Sequence, residues 1–516
     1  MDSALLSRLR SDLLAADYRA ATVTALLGET ADRARERGVF VPALRALDAR
    51  EEGPLATICR VFLLGQSVPA AMLDAALPTL GAEGARTLGI VEAEPTGAAA
   101  PRLRAALSLN AVAVADAAAA EPVAWWIISD LDDQLRRGPA RPDHVMGVGG
   151  ATRSLIAQAP PAASRLALDL GTGCGIVALH LSLRGGRVIA TDISERALLL
   201  ARANAELNGA AGAIEFRAGS LFAPVADERF DLILSNPPFV ITPRTGDGPV
   251  YEYRDGGLVG DALAASVVQE GPAHLAPGGT LLCLANWESP WGGNGLQRVT
   301  DWIAAAGVPG LAAWVIERDR VDPAQYAETW ARDGGARPGS AEFDGLLGAW
   351  LDDFAARRVV AVGLGAIRIR RDSGAQPLVH AEQATGALSG AGLGAQLEAT
   401  FSAGLAAARM SDAEVLATRW VVSDAVSDER IHAPGAEAPQ AITLVTDRPI
   451  ARRVTADPLL AAAVGASDGE LTLGQIADAL AQLLEVDAAA ASEALVSGVR
   501  ELAWLGMLAP EARAES

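Results

Sequence analysis

The segment LALDLGTGCGIVALHLS ends an apolar strand-like run on a carboxylate, Asp169, then places Gly171, Gly173 and Gly175 before a helical pattern resumes. Three glycines at alternate positions make a turn without side chains, so a nucleotide-like ligand can lie against backbone amides at a helix N-terminus. A second carboxylate, Asp192, closes the run RVIATD 23 residues after Asp169, and Ile193 follows it. A carboxylate at such a strand end can accept both hydroxyls of a ribose. A dinucleotide site and a plain tight turn share this glycine pattern, so the turn alone leaves the ligand open. The third element narrows the choice: FDLILSNPPF sets Asn236, Pro237, Pro238 and Phe239 directly after a fourth strand-like run.

With these motifs in this order, residues 144 to about 320 resemble class I S-adenosylmethionine (SAM)-dependent N-methyltransferases of the Asn-Pro-Pro-Phe/Tyr type. That group holds release-factor glutamine, rRNA guanine-N2 and adenine-N6 methyltransferases. The resemblance implies SAM as cofactor, bound by Asp169, Gly171, Gly173, Gly175, Asp192, Ile193 and Asn236, with Ser220 and Leu221 near the adenine. Related enzymes carry an acidic or amide residue where this chain has Ser220. A hydroxyl can accept the same hydrogen bond from the adenine amino group, and backbone groups near Leu221 are the alternative.

The resemblance also implies a planar nitrogen as methyl acceptor. An amide or exocyclic amine has a delocalised lone pair and is a poor nucleophile until that pair is localised. In the family the Asn oxygen, here Asn236, and the following carbonyl, here Pro237, take both N–H bonds and aim the lone pair at the methyl carbon. Pro237 and Pro238 fix φ and present the carbonyl rigidly, and Phe239 would stack on the planar group. Such catalysis is mostly orientation and requires no metal. The implied reaction is methyl transfer to a protein glutamine amide or to an exocyclic amino group of an RNA base. The alternatives are a small-molecule N-methyltransferase of secondary metabolism and a non-catalytic SAM-binding scaffold.

Flanking residues add candidates. Upstream, in HVMGVGGATRSLIA, Thr152 and Arg153 could meet the cofactor's carboxylate, although an N-cap and a surface arginine would read the same; His144 is a weaker candidate base. Downstream, the polar and aromatic stretch VITPRTGDGPVYEYRDGGLVGD offers Tyr251, Tyr253, Arg254 and Asp255 as substrate contacts. Its Gly256–Leu258 segment before Gly260 and Asp261 resembles the same loop in the glutamine-modifying enzymes.

The elements that must position these residues follow from periodicity. Apolar strands alternate with helices of 10 to 15 residues from Arg165 to Arg371, the pattern of an α/β fold, a Rossmann-like doubly wound, mostly parallel sheet with an antiparallel last strand. Residues 1–140 read as a helical, winged-helix-like N-terminal module and 141–372 as the methyltransferase domain. Residues 373–400 read as a linker, and 401–516 as an acidic winged-helix-like C-terminal module with 8 Arg against 17 acidic residues. The formal charge of −20 disfavours non-specific DNA or RNA binding, which needs a basic surface. Acidity thus favours a protein or a metabolite over nucleic acid as partner, and the family resemblance implies a translation factor or ribosomal component, with a structured RNA as substrate left open. Three scattered cysteines exclude a disulfide framework and a Cys-based zinc site. With no bilayer-length apolar run and no signal-peptide pattern, the expected compartment is the cytoplasm.

Overall fold

Between residues 166 and 383 the Val-, Ile- and Leu-rich runs become eight strands of one sheet. They are β1 (Leu166–Leu170), β2 (Arg187–Asp192), β3 (Ile214–Ala218), β4 (Phe230–Ser235), β5 (Leu275–Pro290), β6 (Leu311–Val321), β7 (Val359–Arg371) and β8 (Leu378–Gln383). A computed structural model describes residues 1–50, 53–94, 102–116, 119, 121–136, 141–244, 257–372, 376–435 and 437–511. The strand order is β8-β6-β7-β5-β4-β1-β2-β3. Strands β5, β4, β1, β2 and β3 run parallel, and β7 lies antiparallel between β5 and β6. The last strand of the expected pattern is therefore antiparallel, and β8 extends the sheet within the stretch 373–400.

Helices connect the strands. They are α1 (Gly150–Gln158), α2 (Ile176–Ser182), α3 (Glu195–Leu207), α4 (Ala262–Glu270) and α5 (Gly295–Ala305), and between β6 and β7 the pair α6 (Pro323–Asp333) and α7 (Ala341–Ala356). The main core joins both layers: Leu168, Ile189, Ile233 and Leu281 of the sheet pack with Val267 of α4 and Trp302 of α5. Trp287 is inside β5 and fully buried, its indole donating to Glu317 at 3.0 Å. Strand β7 makes room for this ring with Gly363 and Gly365, where an added Cβ would fall 2.2 and 2.7 Å from the indole.

The chain divides into two units, residues 1–156 with 162–382, and residues 157–161 with 383–516. In the first, helices between Ser3 and Thr87 are followed by a hairpin of Ser108–Val114 with Val123–Ser129, and a small sheet joins Val68–Pro69, from among those helices, to Arg102–Ala105 and Val91–Ala93. In the second, Arg419–Val422 pairs with Asp468–Thr472 and Leu508–Pro510, against the helices Leu473–Leu484 and Ala488–Trp504. A separate meander joins Ser427–Ile431, Ala441–Thr446 and Arg452–Ala456. Among the described residues no helix is long and apolar enough to cross a membrane.

The hairpin is fastened to the sheet domain by side chains that act as a further strand. Alternate residues of an antiparallel edge strand point both backbone groups outward. Asn204 of α3 accepts from the Ile128 N–H at 2.8 Å and donates to its carbonyl at 2.8 Å; four residues on, Asn208 does the same for Trp126 at 3.0 and 2.8 Å. Deeper in, His180 of α2 contacts Asp116 through Nδ1 at 2.8 Å and accepts from the Trp125 indole at 2.9 Å. Both ring nitrogens are thus occupied by structural partners. Asn204→Ala would leave the buried Ile128 groups unpaired, so unfolding in urea should lose about 1 to 3 kcal/mol. An unchanged midpoint would mean that this edge is satisfied in another way.

Candidate active site

In a doubly wound sheet the ligand crevice opens where the strand order reverses, at the carboxyl ends of the strands. Here that point lies between β1 and β4, whose last residues Leu170 and Ser235 are in register. The Ser235 hydroxyl donates to the Leu170 carbonyl at 2.9 Å. The glycine turn and Asn236 therefore leave the sheet side by side.

The turn after β1 needs its glycines for two reasons. Gly171 and Gly173 have φ of 78° and 53°, and an added Cβ at either would meet nothing within 4 Å, so the space beside them is open to a ligand. Gly175 has φ of 85°, and a Cβ there would stand 2.9 Å from that of Ala201, so it serves the close packing of α2 on α3. The turn is tied to β2 by N–H bonds from Gly171 and Thr172 to the Thr191 carbonyl at 3.0 and 2.9 Å.

Two carboxylates brace this turn. Asp169 is buried, and its Oδ2 accepts from the Thr172 hydroxyl at 2.6 Å and from the Ala178 N–H at 2.9 Å. Burial pushes its pKa up to about 7, against the lowering effect of those two donors and with a smaller raising effect from Asp192. Asp192 accepts from Gly173 N–H through Oδ2 and from Ser194 N–H through Oδ1, both at 2.9 Å. It thus holds the turn and the start of α3 together. Its carbonyl takes the Gly219 N–H at 3.0 Å, which brings the end of β3 beside the end of β2. Ile193, an exposed apolar residue, Ser220 and Leu221 accordingly share one edge; Leu221 adopts a left-handed φ of 46°.

The structure joins Asn236 to Thr152: the amide nitrogen donates to the threonine hydroxyl at 3.1 Å. The amide oxygen is buried and has no partner among the described residues. Arg153 turns to the hairpin, its guanidinium donating to the Ala113 carbonyl at 2.6 Å. Phe239 is half-buried and edge-on to Trp330, centroids 6.3 Å apart at 66°. His144 lies 3.8 Å from Asp130, and burial lowers its pKa. Tyr251, Tyr253, Arg254 and Asp255 lie outside the described residues.

Sequence reasoning missed three contributors. Thr172 supports Asp169 from within the glycine turn. Asn204 donates to the Cys174 carbonyl of that turn at 2.8 Å, so one side chain ties it to the hairpin. Tyr326 receives the backbone beyond Phe239. Asn204 had a readable signal, since an asparagine within the apolar face of a helix is disfavoured unless it is bonded.

The raised pKa of Asp169 gives a pH prediction. A carboxyl whose folded pKa exceeds its unfolded value stabilises the fold in its protonated form, fully below about pH 4, and this contribution is lost as pH rises through about 7. Asp169→Asn keeps an acceptor and cannot ionise. Measured by thermal melting, the wild type should therefore lose stability relative to this variant across that window. Parallel curves would show that Asp169 is charged throughout.

Residues 146–293 match the family model described as "Methyltransferase small domain", and residues 15–106 match "Domain of unknown function (DUF7059)". The release factor glutamine methyltransferase of Geobacter sulfurreducens is 39% identical over 134 residues, covering 25% of this chain and 46% of that protein. The enzyme of the same name from Xylella fastidiosa is 35% identical over 182 residues, covering 33% and 64%. The ribosomal protein uL3 glutamine methyltransferase of Bradyrhizobium diazoefficiens is 35% identical over 150 residues, covering 27% and 46%. The chain thus spans less than two thirds of the length of these curated relatives. The glycine turn after β1 and the Asn236–Phe239 motif both lie within the segment 146–293 that matches the methyltransferase small domain.

Proposed function

We propose that this chain transfers a methyl group from SAM to the side-chain amide of glutamine in a protein, a translation factor or ribosomal component. The observation that carries the reading is the buried oxygen of Asn236, an acceptor with no partner among the described residues. A buried acceptor without a partner costs about 1 to 3 kcal/mol, and an amide N–H of a substrate would remove that cost. Thr152 braces the other end of the same amide, which fixes where the oxygen points.

Bound SAM supplies an electrophilic methyl group on a sulfonium sulfur. The residues suited to hold it are Asp192, the backbone of Gly171 to Gly173, and Ile193, Ser220 and Leu221 along the adjoining strand ends. Asn236 and the Pro237 carbonyl accept the two N–H bonds of the glutamine amide, which localises the nitrogen lone pair. Phe239, held edge-on by Trp330, supports the planar amide and excludes water. Orientation of this kind can contribute roughly 7 to 11 kcal/mol to the barrier reduction. The relatives named for glutamine methylation favour a protein amide, and the net charge of −20 weighs against an RNA base. On the same ground the acidic module 401–516 is assigned to protein contact.

Two variants separate catalysis from cofactor binding. Asn236→Ala should keep SAM affinity within a factor of about three, while methyl transfer falls by about 10² to 10³, as for loss of one oriented polar group in a water-poor site. Radiolabel transfer to purified translation proteins is the assay; a parental rate would remove the N-methyltransferase reading, and label in RNA alone would replace the substrate. Asp192→Ala should weaken SAM binding in calorimetry by about 1.5 to 3 kcal/mol through loss of a charged acceptor. Undiminished affinity would place the cofactor elsewhere.

A further inference from the structure

Strands β6 and β7 are antiparallel neighbours, which a two-residue turn can join, yet residues 322–358 lie between them. The connection is far longer than joining these two strands requires. The intervening residues are encoded to be helical. Asp322 caps α6 by accepting from the Gln325 N–H, and Ser340 caps α7 by accepting from the Phe343 N–H. The apolar face of the pair is not spent on the main core. Tyr326, Phe343, Trp350 and Phe354 form a cluster of their own with Val240 and Ile241, directly beyond Phe239.

The stretch after β4, residues 236–244, contains three prolines and no regular secondary structure, so its backbone polar groups must find partners elsewhere. Ile241 finds both on the insertion. Its N–H donates to the Tyr326 hydroxyl at 2.9 Å, and its carbonyl accepts from the Trp350 indole at 2.7 Å. The same Tyr326 oxygen accepts from the Asn286 amide of β5 at 2.9 Å, which ties the stretch to the sheet. Trp330, half-buried on α6, sets the plane of Phe239 by edge contact. The Asn236–Phe239 segment is therefore clamped at both ends, by Thr152 before it and by the helix pair after it.

We propose that the α6–α7 insertion is the acceptor-positioning element of this site. Tyr326, Trp350 and Trp330 act as positioning residues: they hold the Asn236–Phe239 segment in the geometry that receives a planar amide and touch neither cofactor nor reacting atoms. This rests on the reading of Asn236 as the group that accepts from the methyl-accepting nitrogen.

The test measures single-turnover methyl transfer, KM for the acceptor, SAM affinity by calorimetry and melting temperature on the full chain. Trp330→Ala removes an edge contact from a partly exposed ring, and its transfer rate should fall about ten- to a hundredfold, the scale of a small misplacement of reacting groups. SAM affinity and melting temperature should stay at wild-type values, and Trp330→Phe should recover most of the rate. Tyr326→Phe should likewise lower the rate more than it weakens SAM binding. Parental rates in both Trp330→Ala and Tyr326→Phe overturn the proposal. So does a loss of rate that only tracks a loss of SAM affinity and melting temperature, since that is the signature of a merely structural role. A wild type that labels RNA or a small amine instead of protein glutamine would refute the substrate reading alone, and the same comparison would then be read on that acceptor. A parental rate in Asn236→Ala would remove the ground on which the positioning role stands.

Discussion

The register of β1 against β4 is the constraint on which the rest of the site depends. Leu170 and Ser235 end their strands at the same level, locked by the Ser235 hydroxyl on the Leu170 carbonyl. One strand then releases a turn of three glycines and the other releases Asn236. A slip of one residue in either strand would exchange its two faces, and the turn and the amide would no longer share a crevice. Both strands are apolar along nearly their whole length, as parallel strands covered on both faces must be. Their burial fixes the register that the site needs.

Around that register the molecule uses carboxylates as structural ties. Asp192 binds two backbone N–H groups from different elements, and Asp169 binds the Thr172 hydroxyl in the turn and the Ala178 N–H in α2. The two differ in setting. Asp192 stands at the rim and can face a ligand, whereas Asp169 is sealed below it, where desolvation outweighs its two donors and raises its pKa. A sealed carboxyl close to its titration point at neutral pH makes the turn sensitive to any charge brought near it.

What could be read from the sequence was the part encoded by short-range grammar. Strand, glycine turn, helix, acidic strand end and Asn-Pro-Pro-Phe each lie within a few residues, so their types and spacing give the fold of residues 165–371 and the main site positions together. The parts that escaped are side chains whose partners are far away in sequence. Asn204 meets Ile128, Thr152 meets Asn236, and Tyr326 meets Ile241. Nothing local distinguishes Thr152 as a brace of Asn236 from Thr152 as an N-cap. The surroundings of Trp287 are equally non-local: β5 runs on past its parallel partner because β7 pairs with it antiparallel along its length. Glycines on β7, not residues near Trp287, create the space for that ring.

The treatment of buried asparagine amides gives the site its meaning. Asn204 spends its amide on three backbone groups, Asn208 bonds the strand beside it, and the Asn286 nitrogen finds Tyr326. Buried polar groups left unpaired are rare in folded proteins, and each needs a reason. Asn236 is the one asparagine among the described residues with a buried side-chain atom left without a partner. It is also held in place from several directions: its nitrogen by Thr152, its strand by Leu170, and the chain beyond it by the insertion. A side chain that was merely poorly packed would have been free to rotate its oxygen toward a donor. On the proposed reading, one held rigidly with its acceptor unpaired is preorganised for a donor that arrives from outside, as the N–H groups of a primary amide would.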